Sequence, residues 1–459
     1  MLLRAIALEP FGVPTGSMAN TLYGNHKACN CPRCGYSIVV GSGLGSGKNV
    51  RDPYHHAFCP NCGESRLSLD SVRECIGDRL LVDKNVFELR RPRRWEVAVF
   101  RCPYDGNRPY VKRVIGLPGE KVLLQNGDVA INGELARKSF AELRAMRVPI
   151  FEQRFQPSAR GWNTRWIHGP PEMAKPDPGR DAILKDASEY LDGGRLRWTR
   201  PDRVDWLICR NWLLDENHEA PLRDDFGYNG VSLPHRLSTV HDFCVEFDLE
   251  VGMDARSFAF GLRDGAADVQ VEITFSDAGS KQSDRHSAVV RLVGLPERQA
   301  NGQSIATADV RLTRGRRHKI ELAFCDRRIM LAVDSDEVMT PVDLPVASHR
   351  NGVSRPLWLG GRGTLTVHDL RLFRDVHYAA TGGECRNGVY EPWPLGANEY
   401  FVLGDNSANS QDSRFWTNAG IPEYCFMGKP LLLHQPSHWR RFNDWEIECI
   451  NWRRVRWIR

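Results

Sequence analysis

The chain has 459 residues, of which 41% are hydrophobic and 26% charged, and a formal net charge of +5. At roughly 150 residues per domain this length implies about three folded units, and an ordinary composition without low-complexity segments or internal repeats excludes a disordered or solenoid chain. No window reaches the roughly 20 apolar residues that span a bilayer, and no charged start, apolar stretch and small-residue cleavage site marks a secretory signal.

The first distinctive segment runs from Glu9 to Met18, EPFGVPTGSM, where two prolines oppose helix and Ser17 follows a glycine. By itself that is a turn. Cys31-Pro32-Arg33-Cys34 and Cys59-Pro60-Asn61-Cys62 come next, two C-x-x-C knuckles each followed by glycine. Their spacing suits a zinc ribbon, with the thiolates of Cys31, Cys34, Cys59 and Cys62 converging on one structural Zn²⁺; two redox pairs or free thiols are the alternative. Cys29, His26, His55 and His56 are spare ligands. A closed four-thiolate site has no position for water, so it pins the loop after Met18 and is not catalytic. Gly43 to Asn49, GLGSGKN, falls short of a phosphate loop: Ser42 replaces the first glycine, Asn49 replaces Ser/Thr, and no strand and helix flank it. It reads as a flexible loop between the knuckles. Thirteen cysteines in all rule out complete disulfide pairing within a lone chain and leave the redox compartment open.

Short strands follow at Arg79 to Lys84, Trp95 to Arg101 and Tyr110 to Ile115, the last placing Lys112 mid-strand. Pro118-Gly119 suits a type II turn, and Asn126-Gly127 and Asn132-Gly133 suit tight hairpins because Asn-Gly adopts positive φ. Between Leu135 and Val240 the pattern weakens into Pro-rich and Arg/Asp-rich stretches that read as irregular connection. Beyond it Phe243, Val245, Phe247, Leu249 and Val251 alternate with more polar neighbours, as do Val269 to Phe275. Ile320 to Val333 forms a hairpin through Asp326-Arg327, and Leu365 to Phe373 closes the set. Many one-sided strands without helices predict a β-sandwich. Apolar strands return at Tyr400 to Leu403 and Lys429 to His434, with the polar stretch Gly404 to Arg414, GDNSANSQDSR, between them. The tail from His438 sets six arginines among four tryptophans. It reads either as a strand pair with a solvated basic face or as a surface for anionic lipid; nucleic acid is not expected.

Taken in order, PTGSM followed by Asn-Thr-Leu, YVKRVIGLPGE at Tyr110 to Glu120, and GDNSANSQDSR resemble the three boxes of bacterial type I signal peptidases. The resemblance covers about residues 4–24, 74–134 and 396–435. It implies a mostly antiparallel β catalytic domain and a serine–lysine dyad without histidine, in which Ser17 is the nucleophile and Lys112 the general base. A serine hydroxyl needs such a base, and burial favours the neutral amine it requires. Ser410 matches the serine that orients the lysine, Thr15 joins the Ser17 N–H as oxyanion donor, Asp412 and Arg414 match an ion pair, and Asp405 and Arg113 match supporting charges. The implied substrates are exported preproteins cut after small residues at −1 and −3, on the extracytoplasmic face of the cell membrane, with no catalytic cofactor. Two departures stand out. Ser407 and Arg94-Trp95-Glu96 replace a frequent basic residue and Arg-Gly-Asp, which would weaken scaffold ion pairs. Only sixteen residues precede Ser17, where the family has a hydrophobic anchor, so either an anchor lies upstream or the chain is held at the membrane by other means.

The expected organisation is a mostly β chain: a catalytic domain in pieces at 1–28, 67–134 and 377–459, a zinc ribbon at 29–66, irregular connection at 135–240, and a sandwich at 241–376. The sandwich is similar in pattern to the laminin-G or concanavalin type, which binds carbohydrate or protein ligands; a spacer or substrate gate is equally compatible. Two rival readings are a glycan- or protein-binding chain on an inert peptidase scaffold and a relative of the repressor autoproteases. The intact Ser17, Lys112 and Ser410 oppose the first, and the GDN box opposes the second.

Overall fold

The computed structural model describes residues 7–42, 56–157, 165–176, 185–213, 218–230, 237–276, 285–293, 303–378, 386–442 and 445–458. The Gly43 to Asn49 loop lies outside them. Among the described residues the fold is mostly β, in several antiparallel sheets.

One sheet gathers the pieces that the resemblance covers. Its order is Leu8–Gly12, Arg79–Asp83, Phe426–Leu433, Val97–Cys102, Arg108–Gly116, Glu399–Leu403 and Ile421–Pro422, so chain segments from both ends of the sequence are neighbours. In its register Lys112 faces Ala98 and Arg113 faces both Val97 and Leu403. A smaller sheet beside it carries the two Asn-Gly hairpins, with Asn126, Gly127, Asn132 and Gly133 all at positive φ. Gly119 is also at positive φ, as the Pro118-Gly119 turn requires.

The sandwich packs a nine-stranded on an eight-stranded sheet. Its core comes from alternate residues, as period two dictates: Phe243, Val245, Phe247, Leu249 and Val251 from one layer meet Phe258, Phe260, Val269, Val271, Leu357 and Leu359 from the other. The Cys325–Arg328 hairpin turns on Asp326 and Arg327, both at positive φ.

Residues 135–240 are not the irregular connection that their composition predicts. Val148–Glu152 and Arg195–Trp198 pair with Leu365–Arg374, and Asp205–Cys209 pairs with Leu357–Arg362, so this stretch supplies strands to both layers. These strands are only four or five residues long, too short for a period to emerge. A helix, Phe140–Met146, starts at a capping box in which Ser139 and Glu142 satisfy each other's backbone N–H. Phe140 and Leu143 pack on the outer face of the nine-stranded sheet, while Met146 enters the cluster of Trp95, Ile115 and Phe401. The helix thereby joins the sandwich to the first sheet.

The tail forms the hairpin Ser437–Phe442 with Trp445–Ile450. Two of its arginines turn inward. Arg454 pairs with buried Asp78 (2.7 and 2.9 Å) and lies over the Tyr23 ring, and Arg456 donates to Thr21 O (2.7 Å). Trp452 and Trp457 remain 72% exposed. Among the described residues no helix is long and apolar enough to cross a membrane.

Candidate active site

The GDN stretch folds around a buried ion pair. Arg414 donates to both oxygens of Asp412 (2.9 and 2.8 Å), and the two side chains are almost wholly excluded from water. A fork of guanidinium on carboxylate fixes orientation as well as charge. Burial alone would raise the Asp412 carboxyl, but Arg414, then Lys112 and the Ser410 hydroxyl, hold it below the usual carboxylate range.

Asp412 Oδ2 also accepts the Ser410 hydroxyl (2.7 Å), and Ser410 Oγ accepts from Lys112 Nζ (3.0 Å). The direction follows from chemistry: a carboxylate can only accept, so the single Ser410 proton goes to Asp412 and its lone pairs face the lysine. Lys112 therefore binds Ser410 through an N–H and keeps its amine lone pair free of that contact. It is 1% exposed. The strand Arg108–Gly116 is buried from Lys112 onward: Val114 and Ile115 enter apolar clusters, Arg113 meets Asp405, and the Gly16–Met18 turn also packs against the strand. Burial lowers the Lys112 pKa to about 8, against the opposing pull of Asp412.

Ser17 lies in a single 3₁₀ turn, Gly16–Met18, entered through extended Thr15. Met18 anchors the turn in a cluster with Val13, Leu22, Leu80, Val82, Val97 and Val99. Ser17 is half-buried and Thr15 exposed. The Ser17 carbonyl accepts from Asn406 N (3.0 Å) and the Gly16 carbonyl from Asn406 Nδ2 (3.0 Å). Gly404 permits the approach: a Cβ there would stand 2.3 Å from Ser410 Oγ and 2.4 Å from Ser17 O. The structure thus brings Ser17 and the Lys112–Ser410–Asp412–Arg414 chain to one place.

Asp405 and Arg113 form a second buried pair (2.7 and 2.5 Å), with Arg113 also donating to Trp95 O (2.6 Å). Thr21 Oγ1 donates to Asp405, which ties the loop after Ser17 to this pair. Thr21 stands in the Asn-Thr-Leu run that carries part of the resemblance, but its partner is fixed only by the tertiary fold; Asn406 likewise sits inside the GDN box. The departures are accommodated. Glu96 pairs with Arg90 and Lys429, so ion pairing persists, and Ser407 Oγ accepts from Arg414 (2.9 Å). Trp95 holds φ +67, a conformation glycine adopts without cost, while its ring is buried with Lys138 Nζ 4.5 Å from the centroid.

Cys31, Cys34, Cys59 and Cys62 are buried with their sulfurs within 4.8 Å of one another. The Cys31–Cys62 and Cys34–Cys59 pairs are 3.6 Å apart, close to the roughly 3.8 Å edge of a tetrahedron with 2.3 Å zinc–sulfur bonds. Gly35 and Gly63 donate to Cys31 O and Cys59 O at positive φ and so close each knuckle. Hydrogen bonding from Cys59 and Cys62 draws the Cys34 thiol far down, while Cys59 is pushed up in return. The arrangement can hold a metal ion. His26 is instead bonded to Gly24 O (2.8 Å).

A family model described as "Signal peptidase, peptidase S26" matches residues 70–165 and 366–431, which include Lys112, Asp405, Ser410, Asp412 and Arg414; Ser17 lies before the matched residues. A signal peptidase I of Rickettsia akari is 31% identical over 132 residues, 29% of this chain and 38% of that protein. A probable signal peptidase I-2 of Synechocystis is 37% identical over 71 residues, 14% of this chain and 32% of that protein. The chain therefore spans well under half the length of these relatives. A carbohydrate-binding module from Bacillus subtilis overlays 38% of this chain and 83% of its own, at 9% identity and a TM-score of 0.22, too distant a likeness to carry a function.

Proposed function

We propose that the chain is a type I signal peptidase, a serine endopeptidase that removes signal peptides from exported preproteins after small residues at −1 and −3. The observation that carries this reading is the buried Lys112, with a pKa of about 8, bonded to Ser410 on the strand against which the Ser17 turn packs. In the proposed mechanism neutral Lys112 takes the Ser17 hydroxyl proton as Ser17 Oγ attacks the scissile carbonyl. The Ser17 N–H and the Thr15 hydroxyl donate to the oxyanion, a contribution of about 10²–10³ in rate per donor. The lysine then returns the proton to the leaving amine, and a water activated by Lys112 releases the acyl group. Asp412 with Arg414 holds Ser410, and Asp405 with Arg113 holds the loop through Thr21.

The four cysteines hold one structural Zn²⁺, which stiffens the knuckles and takes no part in the chemistry. Membrane lipid is the proposed environment, on the extracytoplasmic face; exposed Trp452, Trp457 and Ile447 near the arginine-rich tail suit an anionic headgroup layer. The test is incubation of the purified chain in detergent with a peptide containing one Ala-x-Ala site. Mass spectrometry should find products cut only after the second alanine, and an intact peptide with zinc-loaded, folded protein overturns the reading.

A further inference from the structure

The turn Gly227–Asn229 lies outside the residues that the family model matches, yet it reaches the Gly16–Met18 turn that carries Ser17. Tyr228 is wedged against Gly16 and Gly41: a Cβ on either glycine would fall 2.2 or 2.5 Å from its ring. The ring also stacks on Tyr23, with centroids 5.4 Å apart and planes within 18°. Beside it the side-chain amides of Asn229 and Asn406 form a reciprocal pair, each Nδ2 donating to the other's Oδ1 at 2.7 Å.

Asn406 is 2% exposed and is the residue that grips both Gly16 O and Ser17 O. An asparagine amide has two N–H groups. One of Asn406's goes to Gly16 and the other to Asn229, while its oxygen accepts from Asn229. Every orientation of this amide other than the observed one forfeits buried hydrogen bonds, and leaving such groups unpaired is costly. We infer that Asn229 is a positioning residue for Ser17, acting through Asn406, so that the inserted segment is part of the peptidase site. Arg374, at the end of a central sandwich strand, donates to Asp224 O and Asp225 O (3.3 Å each), which fixes the chain entering this turn.

The inference rests on the proposed peptidase reading, and its test separates the two. Full-length wild type, Asn229→Ala, Asn406→Ala and the double variant are compared for kcat and KM on the Ala-x-Ala peptide, for Tm, and for amide hydrogen exchange in fragments spanning Val13 to Leu22. Misplacement of a nucleophile acts on kcat. Expected for Asn229→Ala is a fall in kcat of roughly tenfold, with KM within about twofold, Tm preserved, the pH limb unmoved and exchange in Val13 to Leu22 accelerated about tenfold. The double variant should lose no more than Asn406→Ala alone, because the two act as one unit. Unchanged kcat and exchange, or losses that multiply in the double variant, overturn the inference. Should wild type cleave nothing, the peptidase reading fails and exchange alone decides whether Asn229 holds the turn. Isosteric Asn229→Asp, which keeps one acceptor but sets a carboxylate oxygen against Asn406 Oδ1, covers the case in which Asn229→Ala does not fold; it should show the same signs at least as strongly.

Discussion

Ser410 gives its only proton to Asp412 and receives one from Lys112, at 2.7 and 3.0 Å. The serine is a directional bridge: it fixes where the amine sits without consuming the lone pair that a base must use.

Activity should follow deprotonation of that amine. Burial lowers Lys112 to about 8 from an unfolded value of 10.5, so the lysine is mostly charged below pH 8 and neutral above it. The value of kcat/KM should rise with slope one as pH increases and level off above about 8. The same shift has a sign for stability. Between about 8 and 10.5 the unfolded chain binds more protons at this site, so its contribution should become more favourable as pH rises through that window. A pH–rate profile from 6 to 10 checks the first statement, and Tm of Lys112→Met against wild type across the same range checks the second.

Ser410→Ala removes the bridge but no charge. Expected is a loss of roughly 10²-fold in kcat, as for other misplaced catalytic groups, with Tm nearly unchanged. Steady-state kinetics beside a melting curve measure both.

Gly404→Ala is predicted to be as damaging as loss of a catalytic group, although residue 404 takes no chemical part. Its new methyl would stand 2.3 Å from Ser410 Oγ and 2.4 Å from backbone Ser17 O, and the backbone contact cannot rotate away. A fall of at least roughly 10²-fold in kcat/KM is expected. Gly12→Ala, which meets nothing within 4 Å, is the control for a glycine-to-alanine change without a steric clash.

Much of this was legible beforehand, for identifiable reasons. Phe243 to Val251 announced a strand because its odd positions are all core. Asn126-Gly127 and Asp326-Arg327 announced hairpins because both residues of such turns need positive φ, which they adopt. The strand of Lys112 is legible from its pattern, whereas its burial follows only from the resemblance: period two cannot say which face another part of the chain will cover. The strands of 135–240 escaped because four or five residues hold no period and their partners lie far off, Val148 pairing with Arg374. Trp95 at φ +67 was illegible in principle, since tryptophan is an unlikely occupant of a left-handed position until tertiary burial of its ring is known. The Asn229–Asn406 contact, 177 residues apart, has no local signal at all.

The cysteine cluster makes a separate prediction. Purified chain should contain about one zinc, and Cys34→Ser with Cys59→Ser should abolish it, since ligand loss and metal loss are linked. A structural site of this kind contributes to folding, and a Tm lower by roughly 5–10 °C is expected. Atomic absorption and calorimetry read the two quantities.

The central claim is that Lys112 is the base for Ser17, and parallel cleavage of the Ala-x-Ala peptide at pH 9 by wild type, Ser17→Ala and Lys112→Met tests it most directly. Expected is clean cleavage by wild type and a loss of at least about 10³-fold in each variant, with Tm retained, as when a member of a catalytic dyad is removed. Wild-type cleavage that survives either substitution would contradict it.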